Sequence, residues 1–265
     1  MRGRSGFVDS DGVSLHHLEY GAGDPIVVVP GITSPAITWE FMAEQLADDR
    51  RVIVLDVRGR GESDYPPSGF TLPDYARDVA AVIDALGLAR PALLGHSMGA
   101  RIAGAVGVLH PDRAGPIVMV DPPMTGPGRV PYPTSLETFV EQLEMARAGA
   151  TADDMRAYFP TWTEEHLALR AEQLRYCDET AVRDSWENFH REDFLPYLRD
   201  MPAPALFMYG GDSPVVTPDA AAEAEATNPA LELVRIPGAG HMIPWDNGPD
   251  FLAQTRGFLG RVRAA

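Results

Sequence analysis

Residues 93–100 read LLGHSMGA, and this stretch predicts both a fold and a chemistry. An apolar run typical of a buried strand ends at Gly95, and a helical pattern begins at Met98. The glycines two positions before and after Ser97 allow a tight strand-to-helix turn that larger side chains would obstruct. We therefore expect Ser97 to be a nucleophile at a helix N-terminus, where N–H groups favour a developing anion. An ordinary glycine-rich turn is the alternative interpretation.

A serine nucleophile requires a general base, and His241 is the best placed of the seven histidines. It lies in the glycine-rich stretch 237–242, PGAGHM, directly after the last predicted strand. Such a loop holds an imidazole over the carboxyl edge of an open α/β sheet, where active sites of these sheets lie. The alternative is a loop histidine that bonds only to backbone.

Two aspartates could orient this histidine. Asp121 follows the predicted strand 117–120, and Asp212 follows the predicted strand 205–209. Both would lie at the same edge of the sheet. Asp212 has the more common location, but the usual spacing from that strand places Ser213 where the acid should be. We therefore favour Asp121 and keep Asp212 as the alternative acid.

An oxyanion hole needs two converging N–H groups, one of them on the residue after the nucleophile, here Met98. The other is expected in the loop 30–34, PGITS, after the predicted strand 26–29. Gly31 lets the backbone turn sharply there, so that the N–H of Ile32 would point inward.

Apolar runs and helical patterns alternate along most of the chain. A hairpin turning at Asp11 and Gly12 comes first. The expected strands then lie at 26–29, 52–55, 92–94, 117–120, 205–209 and 231–236, and the expected helices at 39–46, 75–86, 98–109, 218–226 and 249–259. Continuous apolar strands separated by helices predict an α/β fold, with a mostly parallel, twisted sheet covered by helices on both faces.

The segment 124–200 interrupts this alternation. It is helical, acidic and rich in aromatic residues, and proline-rich or glycine-rich stretches flank it. We expect a helical cap here, inserted after the sixth strand. The α/β core would then consist of residues 1–123 and 201–265.

The charge of the chain excludes several functions. All 22 basic residues are arginine, so lysine-based catalysis is impossible, and the net charge of −16 argues against nucleic acids and anionic membranes as partners. Cys177 is the only cysteine, which leaves no internal disulfide. Residues 1–6 precede no apolar run, and no transmembrane stretch follows, so we expect a cytoplasmic protein. The sequence favours neither a monomer nor a homo-oligomer.

Together these motifs resemble the α/β-hydrolase superfamily over nearly the whole chain. Within it, the sequence is most similar to the N-formylmaleamate deformylases of bacterial nicotinic acid degradation. The similar stretches are 30–39 (PGITSPAITW), 94–101 (LGHSMGAR), 120–123 (VDPP), 240–246 (GHMIPWD) and, in the insertion, 153–158 (DDMRAY) and 167–172 (LALRAE). The resemblance implies a triad of Ser97, Asp121 and His241 that hydrolyses the N-formyl amide of a small carboxylate through a formyl-enzyme. It also implies that the reaction needs no metal and no organic cofactor.

The carboxylate of such a substrate must meet a local cation on this acidic protein. Arg101 near Ser97, and Arg129 and Arg156 in the insertion, are the candidates, although a structural ion pair is the alternative for each. Three aromatic residues of the insertion are candidates to roof the pocket, although for each of them packing in the core of the cap is the favoured alternative: Tyr158, Trp162 and Trp186.

Other functions share the same motifs. A carboxylesterase or a carbon–carbon bond hydrolase of ring-cleavage products would use the same triad, because pocket shape rather than motif separates these enzymes. A function of another class is a ligand receptor on the hydrolase fold with negligible turnover.

Overall fold

The computed structural model describes residues 3–202 and 204–264, and within these ranges eight strands form one sheet. The strands are β1 (Arg4–Ser10), β2 (Val13–Gly21), β3 (Asp24–Val29), β4 (Arg50–Leu55), β5 (Ala92–His96), β6 (Ile117–Val120), β7 (Ala205–Gly210) and β8 (Leu231–Ile236). Their order is β1-β2-β4-β3-β5-β6-β7-β8. Only the pairs β1–β2 and β2–β4 are antiparallel, so the predicted, mostly parallel sheet is confirmed.

The first two strands form the expected hairpin. Asp11 and Gly12 connect them with φ angles of 51° and 84°. Two successive positive φ angles are typical of a turn whose twist matches that of the flanking strands. Gly12 adopts this conformation without a steric penalty.

Helices cover both faces of the sheet. In the described residues they are α1 (Glu40–Leu46), α2 (Leu72–Ala85), α3 (Met98–Leu109), α4 (Leu136–Arg147), α5 (Ala152–Arg156), α6 (Glu164–Gln173), α7 (Glu179–Arg191), α8 (Leu195–Arg199), α9 (Pro218–Thr227), α10 (Ile243–Asp246) and α11 (Gly248–Ala264). Alternate residues of β3 belong to two hydrophobic clusters: Val27 to one that includes residues of α2, α3 and α9, and Val28 to one that includes residues of α1 and α11. Among the described helices, none is long and apolar enough to cross a membrane.

Helix α2 starts three residues before the predicted position. Thr71 accepts a hydrogen bond from the N–H of Asp74, and the Asp74 carboxylate accepts one from the N–H of Thr71. This reciprocal capping box satisfies N–H groups that the helix itself leaves unpaired, so the helix begins at Leu72.

Five helices, α4 to α8, lie between β6 and β7, all of them inside the segment 124–200. Arg60, in the loop after β4, fixes this helical cap to the core. Its fully buried guanidinium donates to the carbonyl of Ala181 and to the hydroxyl of Ser185 on α7, and to the carbonyl of Ile32 in the core. Cys177 is buried opposite Arg60 in an isolated β-bridge. The cap therefore contacts the loop that follows β3, which is also the loop expected to bind the oxyanion.

Candidate active site

Ser97 occupies a strained turn between β5 and α3. Its φ and ψ are 55° and −119°, values that a non-glycine residue adopts only where the surroundings impose them. A Cβ on Gly95 would lie 2.0 Å from the carbonyl oxygen of Gly99, and one on Gly99 would lie 1.9 Å from that of Val29. The two glycines are therefore needed for this turn, as the sequence motif predicts.

The structure brings Ser97, His241 and Asp121 together in one hydrogen-bonded chain. Ser97 Oγ lies 2.9 Å from His241 Nε2, and His241 Nδ1 lies 2.6 Å from Asp121 Oδ2. Asp121 is fully buried, and His241 is partly buried. The three residues follow β5, β8 and β6, so parallel strands deliver them to one edge of the sheet. This arrangement can activate a serine hydroxyl and stabilise the imidazolium that results.

Both oxygens of the Asp121 carboxylate have further donors. The N–H of Gly210 donates to Oδ1 at 3.0 Å, and the hydroxyl of Ser213 donates to Oδ2 at 2.6 Å. Asp212 is exposed, and its backbone N–H bonds to the carbonyl of Ala239. The structure therefore places Asp121 against the imidazole and leaves Asp212 at the surface. Ser213, at the usual position of the acid, supports Asp121 instead.

Of the two residues expected to form the oxyanion hole, one follows Ser97 in the chain and the other borders the same cavity. Met98 is the first residue of α3, and Ile32 lines the same cavity as Ser97 from the loop after β3. Two buried contacts fix this loop: the carbonyl of Ile32 accepts from Arg60 Nε at 2.9 Å, and the N–H of Ala36 donates to Asp56 Oδ1 at 2.5 Å. The loop is therefore held in place before any substrate binds.

His96 lies directly beneath the proposed base. Its Nε2 bonds to the carbonyl oxygen of His241 at 2.9 Å, and its ring is 5.0 Å from the His241 ring. Burial, together with the nearby His241, lowers the pKa of His96 to about 3. His96 is therefore neutral near pH 7, and it fixes the backbone of the base rather than exchanging protons with it.

Tyr132 is a contact of the triad that the sequence analysis missed. It lies in the segment between β6 and α4, its hydroxyl is 3.3 Å from His241 Nε2, and it lines the same cavity as Ser97. Burial raises the pKa of Tyr132 above its ordinary value. The available signal was a tyrosine between two prolines, in residues 131–133, shortly after Asp121.

A cavity of about 220 Å³ opens over Ser97. The core contributes the loop 31–34, and the cap contributes a wall of mixed character. The residues of that wall are Thr134, Thr138, Phe139, Gln142, Tyr158, Phe159 and Arg170. A pocket of this size, bordered by cap side chains, suits a small substrate.

The three arginines proposed to bind a carboxylate lie outside this cavity. Arg101 is buried and donates to the carbonyls of Thr125, Phe189 and Glu192, so it ties α3 to the cap. Arg129 pairs with Glu223. Arg156, partly exposed, pairs with Asp153 and Glu164. Each guanidinium group therefore has structural partners, and none of the three is among the described residues that line the cavity.

Arg170 on α6 is the cation that does line the cavity. Its side chain is buried, donates to the carbonyl and hydroxyl oxygens of Thr33, and lies 5.4 Å from the centre of the Phe159 ring. Within the described parts of the chain no carboxylate pairs with it, and its buried Nε has no partner. Burial lowers its pKa to about 10. The available signal was its position on the apolar face of α6, beside Leu167 and Ala171.

Of the three aromatic residues expected over the pocket, only Tyr158 lines the cavity itself. Trp162 is buried one layer further out, where it stacks on Trp245 at 5.0 Å and on Phe159 at 4.4 Å. Trp186 is partly buried, and its Nε1 donates to the carbonyl of Thr134 at 2.9 Å. The latter two therefore support the cavity wall from behind.

The sheet order, the strained serine turn and the helices inserted after β6 are typical of an α/β hydrolase. The comparison with protein families gives the same class. The pattern of the α/β-hydrolase fold matches residues 24–248, and the chain belongs to the α/β-hydrolase family. It is 43% identical over 262 residues to the N-formylmaleamate deformylase of Pseudomonas putida, with 96% of each chain covered. A crystal structure of an N-formylmaleamic acid deformylase from Pseudomonas putida superposes with a TM-score of 0.90 at 38% identity, covering 95% of this chain and 100% of that one.

A more distant relative acts on a different substrate. The chain is 30% identical over 254 residues to the 2-(acetamidomethylene)succinate hydrolase of Mesorhizobium japonicum, covering 89% of this chain and 88% of that protein. The names of both enzymes refer to amides of small carboxylic acids.

Proposed function

We propose that this protein hydrolyses the N-formyl amide of N-formylmaleamate to maleamate and formate, a step of nicotinate breakdown. One observation supports this most strongly: the chain of Ser97, His241 and Asp121 opens into a small cavity whose cap wall holds Arg170, a buried cation with no carboxylate partner among the described residues. The similarity to N-formylmaleamate deformylase gives the same substrate.

Formation of the acyl-enzyme uses the hydrogen bonds already present. Ser97 Oγ attacks the formyl carbon while its proton passes to His241 Nε2, 2.9 Å away. Asp121 stabilises the imidazolium through Nδ1. The N–H groups of Ile32 and Met98 bind the tetrahedral oxyanion, and one such donor is typically worth about 100-fold or more in rate.

Breakdown of the intermediate returns the proton. The C–N bond breaks, and the nitrogen takes the proton from His241 Nε2, which releases maleamate and leaves a formyl ester on Ser97. Water, activated by the same imidazole, then attacks the ester and releases formate. The first of these transfers joins two atoms that already lie within hydrogen-bond reach, Ser97 Oγ and His241 Nε2.

Arg170 provides recognition of the maleamate carboxylate. A buried guanidinium without a counter-ion carries a desolvation cost of several kcal/mol, which a bound carboxylate offsets. Gln142, on the same wall, has a buried side-chain oxygen without a partner among the described residues. We propose that its amide contacts a polar group of the bound substrate. Arg170 and Gln142 therefore replace Arg101, Arg129 and Arg156 as the proposed contacts of the substrate.

The test is to incubate the purified protein with N-formylmaleamate and quantify formate and maleamate. We expect equal amounts of the two products, and a loss of about 10,000-fold or more in kcat for Ser97→Ala. A serine-directed fluorophosphonate should label Ser97 in the wild-type protein. Rapid cleavage of simple esters without any formate would instead favour a carboxylesterase. An unlabelled Ser97 would favour a receptor.

A further inference from the structure

The Tyr132 hydroxyl stands beside the reacting atoms without belonging to the Ser–His–Asp chain. It lies 3.3 Å from His241 Nε2, on a residue that lines the same cavity as Ser97, whereas Asp121 occupies the other nitrogen of the imidazole. Neither the activation of Ser97 nor the binding of the oxyanion requires it. The hydroxyl is therefore a third polar group at the nucleophile whose role is open.

The position of Tyr132 is fixed by packing. Its side chain is only 6% exposed, and its ring lies 5.1 Å from that of Phe189 and 6.2 Å from that of Phe139. Because burial raises its pKa, the phenol keeps its proton near neutral pH and can act as a hydrogen-bond donor. Tyr132 thus presents a preorganised donor to whatever occupies the space next to Nε2.

That space belongs to the leaving group. His241 Nε2 must protonate the departing nitrogen, so this nitrogen has to lie within hydrogen-bond reach of Nε2. A hydroxyl 3.3 Å from the same Nε2 borders the leaving group. The proposed oxyanion donors, Ile32 and Met98, belong to the core, whereas Tyr132 reaches the site from the segment that leads into the cap.

We propose that Tyr132 is a leaving-group donor that favours substrates whose scissile nitrogen carries a second acyl group. This inference rests on the proposed function, since N-formylmaleamate has such a nitrogen. As the C–N bond breaks, its electron pair moves to nitrogen and spreads onto the oxygen of the second carbonyl. Nitrogen takes the proton from His241 Nε2, while the Tyr132 hydroxyl donates to that carbonyl oxygen and keeps its own proton. The products, maleamate and the formyl ester of Ser97, are unchanged.

The contribution of the Tyr132 hydroxyl can be measured by comparing two substrates that transfer the same formyl group to Ser97. N-formylmaleamate places a second carbonyl next to the leaving atom, and 4-nitrophenyl formate does not. Tyr132→Phe removes the donor and keeps the ring. We compare kcat/KM because it reports only the steps up to acylation of Ser97. Hydrolysis of the formyl-enzyme, which is the same for both substrates, does not affect it.

We expect Tyr132→Phe to lower kcat/KM for N-formylmaleamate by about 30-fold to 100-fold, the scale of losing a donor to a developing charge. After subtraction of spontaneous hydrolysis, the value for 4-nitrophenyl formate should change by less than about threefold. Tyr20→Phe is the matched control. Tyr20 is also buried, but its hydroxyl bonds to Glu40 and its ring packs in the other hydrophobic cluster, so neither substrate should respond.

Equal losses with both substrates would overturn the leaving-group role, because they would mean that Tyr132 acts on the Ser97–His241 pair. No loss with either substrate would also overturn it. Both results presuppose a wild-type protein that releases formate from N-formylmaleamate. A wild-type protein that cleaves only the ester would overturn the proposed function itself, and this role with it.

Discussion

The catalytic edge of the core and the cap wall that faces it satisfy their polar atoms differently. At the core edge, Ser97 Oγ, both His241 nitrogens and both Asp121 oxygens have partners within hydrogen-bond distance. On the cap wall, Arg170 Nε and Gln142 Oε1 are buried without partners among the described residues. Both regions border one cavity.

This difference separates two tasks. A catalytic group is most effective when its hydrogen bonds hold it in position before the reaction, because no reorganisation is then needed during the step. A recognition group discriminates best between ligands when its polar atoms are desolvated and unpaired. The correct ligand offsets the desolvation cost of these atoms, whereas a mismatched ligand does not. The core edge thus fits the chemistry and the cap wall fits the choice of substrate.

Breaking the hydrogen-bond network of the triad should lower kcat more than the changes described below. Asp121→Asn removes the carboxylate that holds Nδ1 of His241, so we expect kcat to fall by about 1,000-fold to 10,000-fold. The matched variant Asp212→Asn alters an exposed side chain and should keep kcat within about twofold. Steady-state assays of formate release check both. Near-normal turnover in Asp121→Asn together with a large loss in Asp212→Asn would reverse the assignment of the acid.

His96 is an exception within the core, because its Nδ1 is buried without a partner in the described structure. Its pKa in the folded protein is lowered to about 3, whereas an unfolded chain binds the proton below about pH 6.5. The unfolded state therefore holds more protons between these values, and stability falls as the pH drops from 6.5 towards 3.

Between pH 7 and pH 5 this residue should cost about 2 kcal/mol of unfolding free energy, at about 1.4 kcal/mol per pH unit below 6.5. Over this interval the unfolding free energy of His96→Gln should therefore fall by about 2 kcal/mol less than that of the wild type. Urea unfolding at each pH measures both values. Parallel pH dependences in the two proteins would show that His96 is not held neutral.

The cap wall can be tested through stability and affinity together. Gln142→Leu removes a buried, unpartnered polar group, so we expect the free energy of unfolding to rise by about 1 kcal/mol. The same change should raise KM for N-formylmaleamate by about tenfold, because the substrate loses a polar contact. Thermal unfolding and steady-state kinetics measure the two effects. A variant that is less stable, with unchanged KM, would contradict the proposed role of this wall.

The sequence predicts the core edge far better than the cap wall. The turn around Ser97 depends on local backbone geometry, which Gly95 and Gly99 encode directly. His241 and Asp121 follow strands, and parallel strands end at a common edge, so their approach could be inferred as well.

The cap wall depends on how helices pack. Arg170 faces the cavity because α6 turns its apolar face towards the loop at Thr33, and no local motif encodes that contact. Arg101 lies only four residues from Ser97, yet its side chain is engaged by cap carbonyls. Proximity along the sequence was therefore a poor guide to the substrate contacts.

The most direct test of this division between chemistry and recognition compares N-formylmaleamate with its methyl ester, in the wild type and in Arg170→Met. We expect the wild type to prefer the free acid by about 100-fold in kcat/KM, since a buried charge pair of this kind is worth several kcal/mol. In Arg170→Met the preference should fall to within about threefold, with the rate on the methyl ester nearly unchanged. A variant that loses activity equally on both compounds would contradict this account, because Arg170 would then serve only to hold the loop at Thr33.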